Sequence, residues 1–239
     1  MALGFRDKLT EGLDRAGQAA GAAKGAAQSE VARSELLLAA TRKSEERLRA
    51  FLRTGDDEKI TIELLLVRLV EAAQADEPKL DRSDKDLFKS SRSRRRRLGM
   101  LALPGGPIAG QLIELYCDIA TLCELVDHHQ LALDRYEIAG HALVLWQVMP
   151  DPESATLAAR GAGQSVAGYW AKRALGHEAL NPPEKMSPTD AVRWIWKFRS
   201  AVPTDLVKDR KTVRATVFVG NDTKEFIAKA REQLGVAVG

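Results

Sequence analysis

The sequence predicts a mainly α-helical protein: a multi-helix bundle with an extended N-terminal amphipathic helix and at most one small β element near residues 204–219. Three observations carry this. Apolar residues recur at three- and four-residue steps through most of the chain, a spacing that gathers them on one helical face. Breaks rich in Pro, Gly, Asp and Asn divide these stretches, as at Thr54-Gly55-Asp56-Asp57, Pro104-Gly105-Gly106-Pro107, Pro150-Asp151-Pro152 and Asn181-Pro182-Pro183. Only Thr212 to Val219 reads as a strand. A lone strand is not stable, so it pairs with residues 204–208 or another chain, or is no strand at all.

Taken in order, residues 1–29 form an Ala/Gly-rich amphipathic helix. Phe5, Leu9 and Leu13 supply bulk to its first turns, and Gly17, Gly21 and Gly25 form a small-residue ridge suited to close helix packing. Each glycine costs about 1 kcal/mol of helix propensity, so this helix needs a partner or a lipid surface. Residues 30–75 form a helical hairpin, with helices at about 30–52 and 60–75. Ile62, Leu65, Leu66, Leu69, Val70 and Ala73 are the second helix's core face. Residues 76–97 read as a basic Ser/Arg linker or solvated helix end. Residues 98–180 are an apolar, acidic helical core with helices at roughly 107–127, 133–149 and 152–176, and Gly161-Ala162-Gly163 is a close-packing site inside the last of them. Residues 181–239 are a basic C-terminal segment with a short helix capped by Ser187, the strand candidate and a last helix at 223–234.

Composition excludes several classes. With 45% hydrophobic and 29% charged residues, the 239-residue chain can fold around a core. Two cysteines exclude a disulfide scaffold and fit a reducing compartment. Charges scattered through the first 25 residues exclude a secretory signal, giving a cytoplasmic expectation. The longest uncharged stretch, Leu98 to Ile113, has 16 residues and two prolines, short of the roughly 20 a membrane span needs.

No catalytic constellation emerges. Cys117, Cys123, His128, His129 and His141 lack metal-ligand spacing, and Glu124/His128 and Glu137/His141 fit ordinary helix pairing as well as ligation. Pro104-Gly105-Gly106-Pro107 lacks the N–H groups and the Lys of a phosphate loop. The expectation is a protein that is not an enzyme, with no cofactor and no metal.

Charge distribution says more than the net +3. Residues 76–97 carry nine basic and five acidic groups, whereas residues 98–180 carry four and nine. Lys89, Arg92, Arg94, Arg95, Arg96 and Arg97 set six cations within nine residues, next to the uncharged segment 98–113. A solvated run, nucleic-acid contact and docking to anionic lipid are the competing readings. Nucleic acid calls for interleaved aromatics, and only Phe88 is near. Lipid is favoured, since each cation near an anionic leaflet gains about 1 kcal/mol and the uncharged segment could lie at the interface. Ser90, Ser91 and Ser93 would then be phosphorylation switches. Trp196 falls off the apolar face of its helix among basic neighbours, suiting a membrane interface, a partner protein or cover by the C-terminal segment.

Residues 98–149 carry a Leu-Ala-Leu-Pro-Gly-Gly-Pro turn, an acid-bearing helix through Asp118-Ile119-Ala120, a break at His128-His129 and an apolar helix from Leu133 to Met149. This stretch, about a fifth of the chain, resembles the EcsC-like bacterial family, departing from it where His128-His129 replaces a Tyr-Gly pair. The resemblance implies a helical, membrane-associated bacterial protein and no catalytic residues. The combined expectation is a cytoplasmic protein peripheral at the inner face of the membrane. The alternative is a scaffold that self-assembles as a homo-oligomer or binds another protein; nucleic acid is disfavoured.

Overall fold

The computed structural model describes residues 42–44, 46–48, 50, 58–76, 84–102, 106–173, 181–200 and 221–236. Of the interpretable part 78% is helical and none lies in a strand, so the fold is mainly α. An isolated antiparallel bridge joins Ile60 to Met186. Residues 42–44, 46–48 and 50 are helical. Among the described residues eight further helices follow: α1 (Ile62–Asp76), α2 (Asp84–Ala102), α3 (Gly106–His128), α4 (Arg135–Leu145), α5 (Pro152–Ala159), α6 (Val166–Arg173), α7 (Pro188–Ser200) and α8 (Asn221–Leu234). The N-terminal amphipathic helix with Phe5, Leu9, Leu13, Gly17, Gly21 and Gly25, and the strand candidate Thr212 to Val219, lie outside the described residues.

The organising element is α3. Every residue from Leu115 to Val126 is buried, because α1, α2, α4, α7 and α8 all pack against this one helix. The six apolar residues expected on the core face of α1 are all buried there, each contributing about 1.5–3 kcal/mol when a Leu, Ile or Val is fully covered. α6 and α7 meet through Trp170 stacked on Phe198, centroids 4.3 Å apart. The Glu63 carboxylate on α1 accepts from the Val166 amide at the start of α6 (2.5 Å), satisfying one of that helix's unpaired donors. α8 is tied to α4 by Gln233, whose Nε2 donates to the His141 carbonyl (3.1 Å) and lies 2.8 Å from its Nδ1. Burial there holds the imidazole below its ordinary range, against the opposing pull of Glu137.

Helix starts follow their caps. Asp134 accepts from the Tyr136 and Glu137 amides while Glu137 reaches back to the Asp134 amide. Asp151 accepts from Ser154 ahead of Pro152, and Ser187 accepts from Asp190 ahead of Pro188.

Helix ends correct the sequence reading. The helix expected over 152–176 is two, α5 and α6, because Gly161 adopts φ +69° and closes α5. Its amide donates to Ala158 and that of Ala162 to Leu157, the paired bonds of a left-handed helix stop. Gly163 is a close approach, since an added Cβ would sit 2.8 Å from Leu157 Cβ. α4 ends at Leu145 rather than 149 by the same device, with Gln147 at φ +59° and Val148 bonded back to Leu143. Gln130, at φ +52°, ends α3 likewise.

The largest correction concerns residues 76–97. Far from a linker, positions 84–97 lie within α2, a 19-residue helix packed antiparallel on α3. Leu87, Ser91, Arg94 and Leu98 recur at helical spacing and are buried, with Ser90 beside them.

Candidate functional site: a two-faced basic helix

The arginine run splits by helix geometry. Arg94 and Arg95 turn toward α3. Lys89, Arg92 and Arg96, at i, i+3 and i+7, are exposed on the other side, and Arg97 is half-buried. None of Lys89, Arg92, Arg96 and Arg97 makes an ion pair among the described residues.

The inward side forms a polar seam with the acids of α3. Arg94 Nη2 donates to Glu124 Oε1 (2.6 Å), as does Ser90 Oγ (2.9 Å). Thr121 Oγ1 donates to the Cys117 carbonyl (2.7 Å), so its only proton is committed and Ser91 must donate to Thr121 (2.6 Å). Arg95 binds Asp118 Oδ1. Along α3, Asp118 takes Arg95, Thr121 takes Ser91 and Glu124 takes Ser90, with the long Arg94 side chain also reaching Glu124. The seam therefore sets the register of the hairpin.

Asp118 is the centre of this seam. Its side chain is 2% exposed, and its second oxygen accepts from Trp146 Nε1 (2.9 Å) and pairs with Arg199 Nη1 at 3.4 Å. Burying a carboxylate without partners is prohibitively costly; here Arg95 from α2 and Trp146 from the end of α4 donate hydrogen bonds to it, and Arg199 from α7 adds an ion pair. The Arg199 guanidinium also lies 5.5 Å from the centroid of Trp146 and 5.0 Å from that of Trp196. A second cluster sits at the far side of α3. Tyr116 donates to Asp76 (3.3 Å), Ser44 lies 2.8 Å from the Tyr116 hydroxyl, and Arg47 pairs with Asp76 at 3.1 Å.

These positions revise the chemistry expected of the run. Ser90 and Ser91 are buried in hydrogen bonds, so they are not accessible switches; Ser93 is half-buried. The segment 98–113, expected against lipid, contributes Leu98, Ala109 and Leu112 to the core. Trp196 is half-buried, while Trp194 and Phe198 pack with the core as expected. Glu124 and Glu137 are engaged by Arg94 and by the α4 cap. Neither cysteine is in a disulfide and both are buried, and burial pushes the Cys117 thiol up to about 12 against the pull of Arg95 and Arg94. Among the described residues no group of three or more His, Cys, Asp or Glu is placed to hold a metal ion, and no helix is long and apolar enough to cross a membrane. A cavity of about 270 Å³ beside α5 and α6 is lined by Met149, Pro150, Ser154, Leu157, Gly163, Gln164 and Tyr169, without carboxylate, imidazole or thiol.

Sequence reasoning gave no site role to Asp118, Thr121, Trp146 and Arg199, and weighed Glu124 only with His128 rather than with Arg94 and Ser90. The available signal was the acids within the apolar stretch 112–126, since an acid on a core helix demands a buried partner.

Fold and seam together define a helical bundle with a buried ionic junction and one cationic outer row. No family model, curated protein or solved structure matches the chain.

Proposed function

We propose that this chain is a non-enzymatic protein that associates peripherally with an anionic membrane surface through the outer row of α2. The observation that carries the reading is the exposed set Lys89, Arg92 and Arg96, aligned on one face without an acidic partner among the described residues. Three such cations gain about 1 kcal/mol each on an anionic leaflet. The association is accordingly weak, reversible and screened by salt. Lipid is favoured over nucleic acid because the one aromatic beside the row, Phe88, is half-buried with the Lys224 ammonium 5.4 Å from its ring centroid, leaving no open stacking platform.

Flotation with phosphatidylserine-containing and with neutral phosphatidylcholine vesicles tests this. The protein is expected to float with the anionic vesicles at low salt and to remain behind with neutral ones, and raised salt abolishes the recovery. Equal recovery on both, or none on either, sinks the reading.

A further inference from the structure

α8 packs on α2, α3 and α4, and its polar tie to α4 is one that a proton can break. Gln233 Nε2 lies 3.1 Å from the His141 carbonyl oxygen and 2.8 Å from His141 Nδ1. A carbonyl oxygen only accepts, so it fixes which way the Gln233 amide points, with the NH2 group toward His141 and Oε1 away. Nδ1 must then be the second acceptor, which leaves the ring proton on Nε2. A further proton would occupy Nδ1 and set N–H against NH2. Turning the amide over to offer Oε1 would set that oxygen against the carbonyl. Either way at least one of the two bonds is lost.

The charges on the surrounding helices are largely committed elsewhere. Glu137, one turn earlier on α4, is the acid that acts on the imidazole, and it is shared with the α4 cap and with Arg160 of α5 at 3.7 Å. Glu71 of α1 pairs with Arg135, and Asp118 and Glu124 of α3 pair with arginines of α2 and α7. On α8 itself, Lys229 pairs with Glu225, Arg231 is buried and Glu232 is exposed.

We infer that His141 and Gln233 form a proton-sensitive latch, in which protonation of His141 releases α8 from α4 and uncovers the apolar side of α8 formed by Phe226, Ile227 and Ala230. Ile227 and Ala230 are buried and Phe226 packs against the core while the latch is closed. Burial disfavours the charged ring, so the folded chain takes up this proton less readily than the unfolded one. The latch is therefore closed above the ordinary imidazole range, about pH 6.5, and weakens as pH falls from there toward the lowered value of the folded ring. It operates whether or not the protein meets a membrane.

Hydrogen exchange of the α8 amides in the full chain, corrected for intrinsic pH dependence, reads the latch at about pH 7.5 and about pH 5.5, either side of the imidazole range. The comparison is with His141→Gln, whose side-chain oxygen accepts from Gln233 and does not titrate. Amides of α3 report global opening, and the variant leaves His128 and His129 in place. Wild type is expected to lose on the order of tenfold protection in α8 at the lower pH, while the variant does not. An equal acid response in both proteins, or none in wild type, overturns the inference. If His141→Gln unfolds the chain, as seen by circular dichroism, nitrogen NMR of the wild-type histidines decides. A neutral His141 protonated on Nε2, whose Nδ1 takes up its proton together with the loss of α8 protection, supports the latch; a neutral ring protonated on Nδ1 overturns it.

Discussion

The two sides of α2 are built from the same residue type and do opposite things. Arg94 and Arg96 are two positions apart, about 200° around the helix. The first is 10% exposed at its side chain and held by Glu124; the second is exposed and has no ion-pair partner among the described residues. A buried guanidinium must be paired, so Arg94 and Arg95 commit α2 to one register on α3. An exposed guanidinium contributes almost nothing to folding and stays available to an external anion. A run of like charge in sequence is thus two populations once wound into a helix.

The largest expected effect comes from removing the shared carboxylate. Asp118→Ala leaves Arg95 and Arg199 facing a cavity and costs about 3–5 kcal/mol in urea denaturation; a loss below about 1 kcal/mol would break the contrast between the faces. Arg94→Ala, which takes the cation from the buried Glu124, costs about 3 kcal/mol. Ser91→Ala costs about 1 kcal/mol, the worth of one hydrogen bond to Thr121. Cys117, with its thiol far above neutral, is protonated and enclosed. Iodoacetamide at neutral pH is therefore expected to leave it unlabelled in wild type and to label it faster in Asp118→Ala, in step with local opening. Least of all, Arg96→Ala shifts stability by no more than about 0.5 kcal/mol.

Much of the fold was legible because burial there is apolar. The α1 core face and the start of α7 follow from Leu/Ile/Val spacing and the Ser187 cap, and the Pro150-Asp151-Pro152 break marks the start of α5. What was not legible has three physical causes. The inner face of α2 is buried through hydrogen bonds and ion pairs, so Ser90, Ser91 and Arg94 read as solvated polar residues. The stop after α4 places Gln147 in a left-handed conformation usually given to glycine, so it carried no break signal, whereas the sequence places the end of α3 at 127, one residue short of His128. The Asp118 junction joins residues from α2, α3, α7 and the end of α4, an arrangement that no local spacing encodes. The outer row of α2 was named from the sequence, but only as part of a run of six that the helix divides.

The division of the run is tested most directly by comparing wild type with Lys89→Ala/Arg92→Ala/Arg96→Ala in binding to phosphatidylserine vesicles, with thermal melting measured in parallel. The predicted result is a partition coefficient lower by on the order of 100-fold with an unchanged melting temperature. Undiminished binding by the triple variant would contradict the assignment of the outer face to lipid, and a collapse of melting would contradict the separation of the two faces.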